Sequence, residues 1–168
     1  MQPFAASRTA LGAAAYRAAH QILDEPLVFA DPLAIPILGD AGAEALRQRL
    51  EPEEAQNWRR MRAFMAARSR FAEETLAAAV RNDTSQFVLL GAGLDTFAYR
   101  NPHSRLAVFE VDHPATQAFK RAQLAAAGID VPPSLRFVPV DFEHQSIGAA
   151  LAAAGSGARK PRCSPGSA

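Results

Sequence analysis

The feature that most constrains the fold is Phe87-Val88-Leu89-Leu90 running directly into Gly91-Ala92-Gly93. Four apolar residues without alternation read as a strand buried on both faces, the habit of parallel sheets covered by helices. The glycines allow the tight turn by which a chain leaves such a strand and enters a helix. Further strands are predicted at Leu106–Val111 and Leu135–Val140, with helical stretches at about Thr96–Tyr99 and Pro114–Ala127. Strand and helix in alternation predict an α/β fold with a parallel sheet and right-handed crossovers.

Upstream, the chain reads as helix. Ser7 to Leu23 is a candidate helix with an N-cap at Ser7 or Thr9. Pro26, Pro32 and Pro36 then punctuate a loop containing Asp31-Pro32-Leu33, and a short helix is expected around Ala41 to Leu50. Pro52-Glu53-Glu54 suits the start of a long helix reaching Arg81, before a turn at Asn82-Asp83-Thr84-Ser85. The expected division is an N-terminal helical region over 1–81, a partial Rossmann-like domain over 82–154 and a disordered tail over 155–168. A doubly wound sheet normally adds strands beyond a switch point beside the first one. With three strands, the first is predicted to be an uncovered edge, although its apolar run suits a central position.

The chain of 168 residues has room for one ordinary domain, and its 49% hydrophobic content supports a core. A net charge of +1, with no basic block longer than a pair, disfavours a nucleic-acid binder working by phosphate neutralisation. Cys163 is the single cysteine, which excludes an intrachain disulfide, and the chain is expected to be cytoplasmic. No apolar run is long enough to span a bilayer, so no membrane partner is expected. Residues 1–21 hold Arg8, Arg17 and much Ala with no acid, as a transit peptide does. An Ala-rich surface helix is the preferred reading.

The strongest candidate site is Gly91-Ala92-Gly93-Leu94-Asp95-Thr96. Asp112 follows Gly93 by 19 residues at the end of the second strand, the spacing of an acid that accepts from ribose hydroxyls. A plain tight turn with an exposed loop acid is the competing reading. The dinucleotide fingerprint needs a third glycine where this chain has Thr96. That weakens NAD and favours a ligand with a ribose and no phosphates, such as S-adenosylmethionine.

Arg68 falls in the middle of an apolar stripe formed by Trp58, Phe64, Met65, Phe71, Ala72 and Leu76. An arginine within a buried face needs a partner; a ligand carboxylate, a protein acid and snorkelling to solvent all satisfy it. Asp141-Phe142 ends the third strand, where Asp141 is a candidate acceptor for an adenine amino group or a helix N-cap. Phe142 is a candidate ring neighbour or core residue. The four histidines and Cys163 show no metal-ligand spacing, so no metal is assigned. His103 and His113 are candidate bases or solvated loop residues.

Several segments together resemble the leucine carboxyl methyltransferase family. They are Ala67-Arg68-Ser69-Arg70, Leu90 to Thr96 with Tyr99-Arg100, Phe109 to Pro114 with Lys120, and Val140-Asp141-Phe142. The likeness is nearest to its bacterial, actinobacterial-type S-adenosylmethionine-dependent O-methyltransferases. Ser7-Arg8-Thr9-Ala10 and Asp31-Pro32-Leu33-Ala34 resemble that branch's N-terminal region. The resemblance implies a class I methyltransferase Rossmann-like fold and S-adenosyl-L-methionine as cofactor. It also implies Arg68 on the methionine carboxylate, Gly91 and Gly93 at the cofactor, Asp112 on the ribose, and Asp141 and Phe142 at the adenine. The methyl acceptor would be a small molecule bearing a carboxylate or hydroxyl; the catalytic residue and the oligomeric state stay open. Family members continue beyond this chain's last strand, so a truncated or frame-shifted product is expected. The rival readings are a non-catalytic cofactor-binding fragment, an NAD-dependent oxidoreductase and a remnant that does not fold.

Overall fold

The structure, a computed structural model, describes residues 8–48 and 55–157. Helix α1 spans Arg8–Leu23, α2 Gly39–Gln48, α3 Ala55–Arg81, α4 Pro114–Ala126 and α5 Ile147–Ala153. Strands β1 (Gln86–Leu90), β2 (Ala107–Asp112) and β3 (Leu135–Pro139) form a parallel sheet in the order β1-β2-β3. Short 3₁₀ turns occupy Pro36–Leu38 and Phe97–Tyr99. The expected strands and helices are therefore present, in the expected α/β arrangement. Thr9 lies inside α1 rather than capping it. Ser7 and the Pro52-Glu53-Glu54 start lie outside the described residues.

Alternation along β2 decides what covers each face of the sheet. Phe109 and Val111 join Val138 and Val140 beneath Ile147, Ala150 and Leu151 of α5. On the other face Val108 and Leu135 pack with Leu76 of α3 and Phe97. A third cluster binds α1 to the rest: Ala14, Ala18 and Ala19 meet Ile37, Leu38, Leu94 and Leu124. The small side chains of α1 let its backbone come close to these neighbours.

Among the described residues β1 pairs only with β2, and Leu90 at its C-terminal end is 60% exposed. The uncovered edge is thus as expected. Of the segment expected to be disordered, Ser156 and Gly157 are tied to Gln86 at the start of β1, with hydrogen bonds of 3.1 Å each. Residues 158–168 lie outside the described residues.

The contact of α1 with α3 includes a half-buried ion pair. Arg62 donates through Nε and Nη2 to both Asp24 oxygens, each at 2.7 Å. His20 Nε2 accepts from the backbone of Val28 and Phe29 at 3.2 Å, so Nδ1 carries the proton and donates to Asp24 at 2.6 Å. The Arg62 fork, against the opposing effect of burial, holds the Asp24 carboxyl below its ordinary value of 3.8. A carboxyl lowered in this way adds stability above its unfolded pKa and loses it as pH falls through the folded value. Asp24→Asn should destabilise the protein by about 1–3 kcal/mol at pH 7, with the gap from wild type narrowing below about pH 4. Urea unfolding at pH 7 and pH 3 checks this; an unchanged gap at both would remove the charge from the explanation.

Candidate functional site

The turn after β1 is shaped by two glycines with left-handed backbone, Gly91 at φ +62° and Gly93 at φ +48°. A side chain at Gly91 would meet nothing within 4 Å, so the backbone there is open to a ligand. Gly93 is different. A Cβ built on it would lie 2.9 Å from the Cβ of Ala10, because α1 crosses directly over the turn.

Asp112 ends β2 beside this turn. Its Oδ2 accepts from Gly93 N at 2.6 Å and its Oδ1 from His113 N at 2.7 Å. The 19-residue spacing is therefore a direct hydrogen bond, and the carboxylate orders the glycine turn from the sheet side. Each oxygen keeps a further lone pair for a ligand donor. Around these groups lies a cavity of about 410 Å³, a size ordinary for a small-molecule site. Its wall includes Ala10 and Arg17 of α1, Met65 and Arg68 of α3, the 89–95 turn and Asp112.

The cavity brings together Arg68, Gly91, Gly93 and Asp112 from three separate elements. Arg68 lines this cavity, but not from the buried face that its apolar neighbours predict. The middle of the expected stripe is open, with Phe64 57% and Phe71 71% exposed and Arg68 itself exposed, while Trp58 and Leu76 at its ends pack against the core. Between those ends α3 buries Arg62 and Ala66. The Ala-rich face of α1 leaves room for small residues and for the paired Arg62, whereas Phe64 and Phe71 turn outward. Arg68 has no hydrogen-bond or ion-pair partner among the described residues, leaving a free cation on the cavity wall.

Asp141 and Phe142 stand apart. Val140 N donates to Asp112 O at 2.9 Å, which places them just past the end of β3, beside β2 but outside the cavity lining. Asp141 Oδ1 accepts from Glu143 N at 3.0 Å and Oδ2 meets His144 Nδ1 at 3.1 Å. The Glu143 amide above all keeps the Asp141 carboxyl below its ordinary range. Asp141 therefore closes a turn; the N-cap of α5 is Ser146. Ligand atoms of Asp141, Glu143 and His144 lie within 4.8 Å of one another on this exposed turn, where His144 Nδ1 is bonded to Asp141. Phe142 is 47% exposed rather than core. Of the candidate bases, His113 caps α4, its Nδ1 accepting from Ala115 N at 3.2 Å.

Arg17 was not anticipated as a site residue. It is buried under the turn, where Nη2 donates to Leu94 O at 2.6 Å. The available signal was its position among Ala14, Ala18 and Ala19, a charged residue in a run of small apolar ones.

A family model described as leucine carboxyl methyltransferase matches residues 10–164. A Bacillus subtilis protein named "Putative S-adenosyl-L-methionine-dependent methyltransferase YktD" is 35% identical over 158 residues, 81% of this chain and 52% of its own length. A Mycolicibacterium paratuberculosis protein named "Putative S-adenosyl-L-methionine-dependent methyltransferase" is 36% identical over 165 residues, covering 91% of this chain and 51% of its own. The chain spans about half the length of the curated relatives it matches.

Proposed function

The chain belongs to the leucine carboxyl methyltransferase family, and on that premise we propose that it binds S-adenosyl-L-methionine in the cavity beneath α1 for methyl transfer to an oxygen acceptor. The observation that carries this reading is the convergence of an unpaired cation, an open glycine turn and an acid on one cavity. Those residues suit the group. Arg68 would take its carboxylate, the Gly91–Gly93 backbone its amino-acid chain, and Asp112 its ribose hydroxyls through the free lone pairs. Asp141 and Phe142, one strand further along the sheet edge, would meet the adenine. When bound, the group supplies a sulfonium-activated methyl for in-line displacement.

The protein's own part is to hold and to shield. The turn fixes the ligand's backbone contacts, and α1 lying across Gly93 excludes water from one side. The acceptor is a small molecule offering a carboxylate, which needs no base, or a hydroxyl, which does. NAD remains disfavoured, because Thr96 stands where the third glycine would be.

Isothermal titration of S-adenosylhomocysteine into the purified chain tests the reading. Saturable binding is expected, weakened about 10- to 100-fold by Arg68→Ala, the range for a lost hydrogen-bonded charge pair. Equal affinity in the variant would remove Arg68 from the site. Saturable binding without methyl transfer to any acceptor would favour the non-catalytic binding module.

A further inference from the structure

Beneath the glycine turn runs a buried polar chain that the proposed ligand contacts do not use. Asp31, 1% exposed, accepts from Thr96 Oγ1 at 2.6 Å through Oδ2 and from Leu33 N at 3.1 Å through Oδ1. Arg17 Nε lies 3.5 Å from the same Oδ2, while its Nη2 donates to Leu94 O and its Nη1 lies 3.8 Å from Asp95. Arg100 closes the other side. Its Nε donates to Thr96 Oγ1 at 3.1 Å and lies 3.3 Å from Asp31, and its two Nη groups grip Glu73 of α3. Burial works against the Arg100 charge, yet the Glu73 bond and the neighbouring acids hold its pKa above the ordinary value.

Thr96 is the hub of this chain. It is 0% exposed, and its hydroxyl is the one atom that both donates to Asp31 and accepts from Arg100. The position that breaks the dinucleotide fingerprint is therefore occupied for a positive reason.

The turn has two anchors on opposite sides. From the sheet, Asp112 holds Gly93 N; from the helices, Arg17 holds Leu94 O. Arg17 and Arg100 tie the second anchor to α1 and, through Glu73, to the helix that carries Arg68. Resting on the proposed cofactor site, we propose that Thr96 and Arg17 are positioning residues that fix the helix side of the turn against Arg68, where the amino-acid end of the ligand sits. Thr96 is fully buried outside the cavity lining, while Arg17 borders the cavity and acts here through its bond to Leu94 O. Locking a supporting shell in this way sets how well a binding constellation is pre-organised. The ribose side, held by Asp112, does not depend on them.

The test compares two ligands, S-adenosylhomocysteine and 5′-methylthioadenosine, the second lacking the amino-acid end. By isothermal titration, Thr96→Val should weaken S-adenosylhomocysteine about 10-fold or more and change 5′-methylthioadenosine less than about 2-fold. Thr96→Ser, which keeps the hydroxyl, should bind both close to wild type. If Thr96→Val fails to fold, Arg17→Lys serves, since an ammonium cannot span Leu94 O and Asp31 together; the same selective loss is expected. Equal weakening of both ligands, or no weakening, would overturn the positioning role and leave the cofactor site standing. A folded wild type that binds neither ligand would overturn the cofactor site and this inference with it.

Discussion

Lys120→Met should cost the fold about 3–5 kcal/mol at pH 7, the penalty for leaving one member of a buried ion pair alone. Lys120 of α4 and Glu110 of β2 are each 1% exposed, and Lys120 Nζ donates to Glu110 Oε2 at 2.7 Å. The ammonium also lies 5.2 Å from the centre of the Tyr99 ring. Burial already pushes the Glu110 carboxyl above its ordinary value of 4.5, with Lys120 opposing it, and Oε1 has no hydrogen-bond partner. Once the ammonium is gone, Glu110 will take up a proton rather than stay charged. A carboxyl raised in the folded state adds stability below its unfolded pKa and loses it as pH rises through the folded value. The penalty should therefore shrink on acidification toward about pH 5. Denaturant unfolding across that range measures it. The double variant Glu110→Gln with Lys120→Met should recover most of the loss, because a neutral pair leaves no stranded charge. A double variant as unstable as the single one would show that packing, not charge, sets the cost.

Asp112→Asn should weaken S-adenosylhomocysteine about 10- to 100-fold while leaving the chain folded. The carboxylate accepts two backbone N–H bonds, from Gly93 and His113, on separate oxygens. An amide of the same shape has one acceptor oxygen, so one of those N–H groups meets an NH₂ instead. The glycine turn loses its sheet-side anchor, and the ribose loses an ionised acceptor. In contrast to Thr96→Val, this change should weaken 5′-methylthioadenosine as strongly as S-adenosylhomocysteine. Retained binding of both ligands would mean that Asp112 serves the turn's fold alone.

Much of the fold was legible because its signals are local. An apolar run ending in glycines, and Pro114 opening α4, identify a strand, a turn and a helix without knowledge of their partners. The candidate turn and its acid were legible to the same depth: Gly91, Gly93 and Asp112 belong to one strand–turn–helix–strand unit. A helical wheel puts Arg68 on a buried apolar face, and the middle of that face is open instead. The wheel identifies an apolar stripe but not whether another surface covers it, and Phe64 and Phe71 face out. Asp141 looked like a helix cap and closes a turn instead, a difference of a few residues in where α5 begins.

The sequence by itself determined the alternating α/β order, the glycine turn and the acid 19 residues beyond it, since each depends on backbone conformation and short spacing. Only the tertiary structure decided which charges go inside. Arg62 and Arg100 look in sequence like the other arginines, and Arg17 stands out only by its Ala-rich neighbours. Their partners Asp31, Asp24 and Glu73 come from elements 14 to 38 residues away. Burial of an arginine is favourable only where a distant chain segment delivers an acid at hydrogen-bond distance. That meeting is a property of how α1 and α3 pack, which no local pattern records.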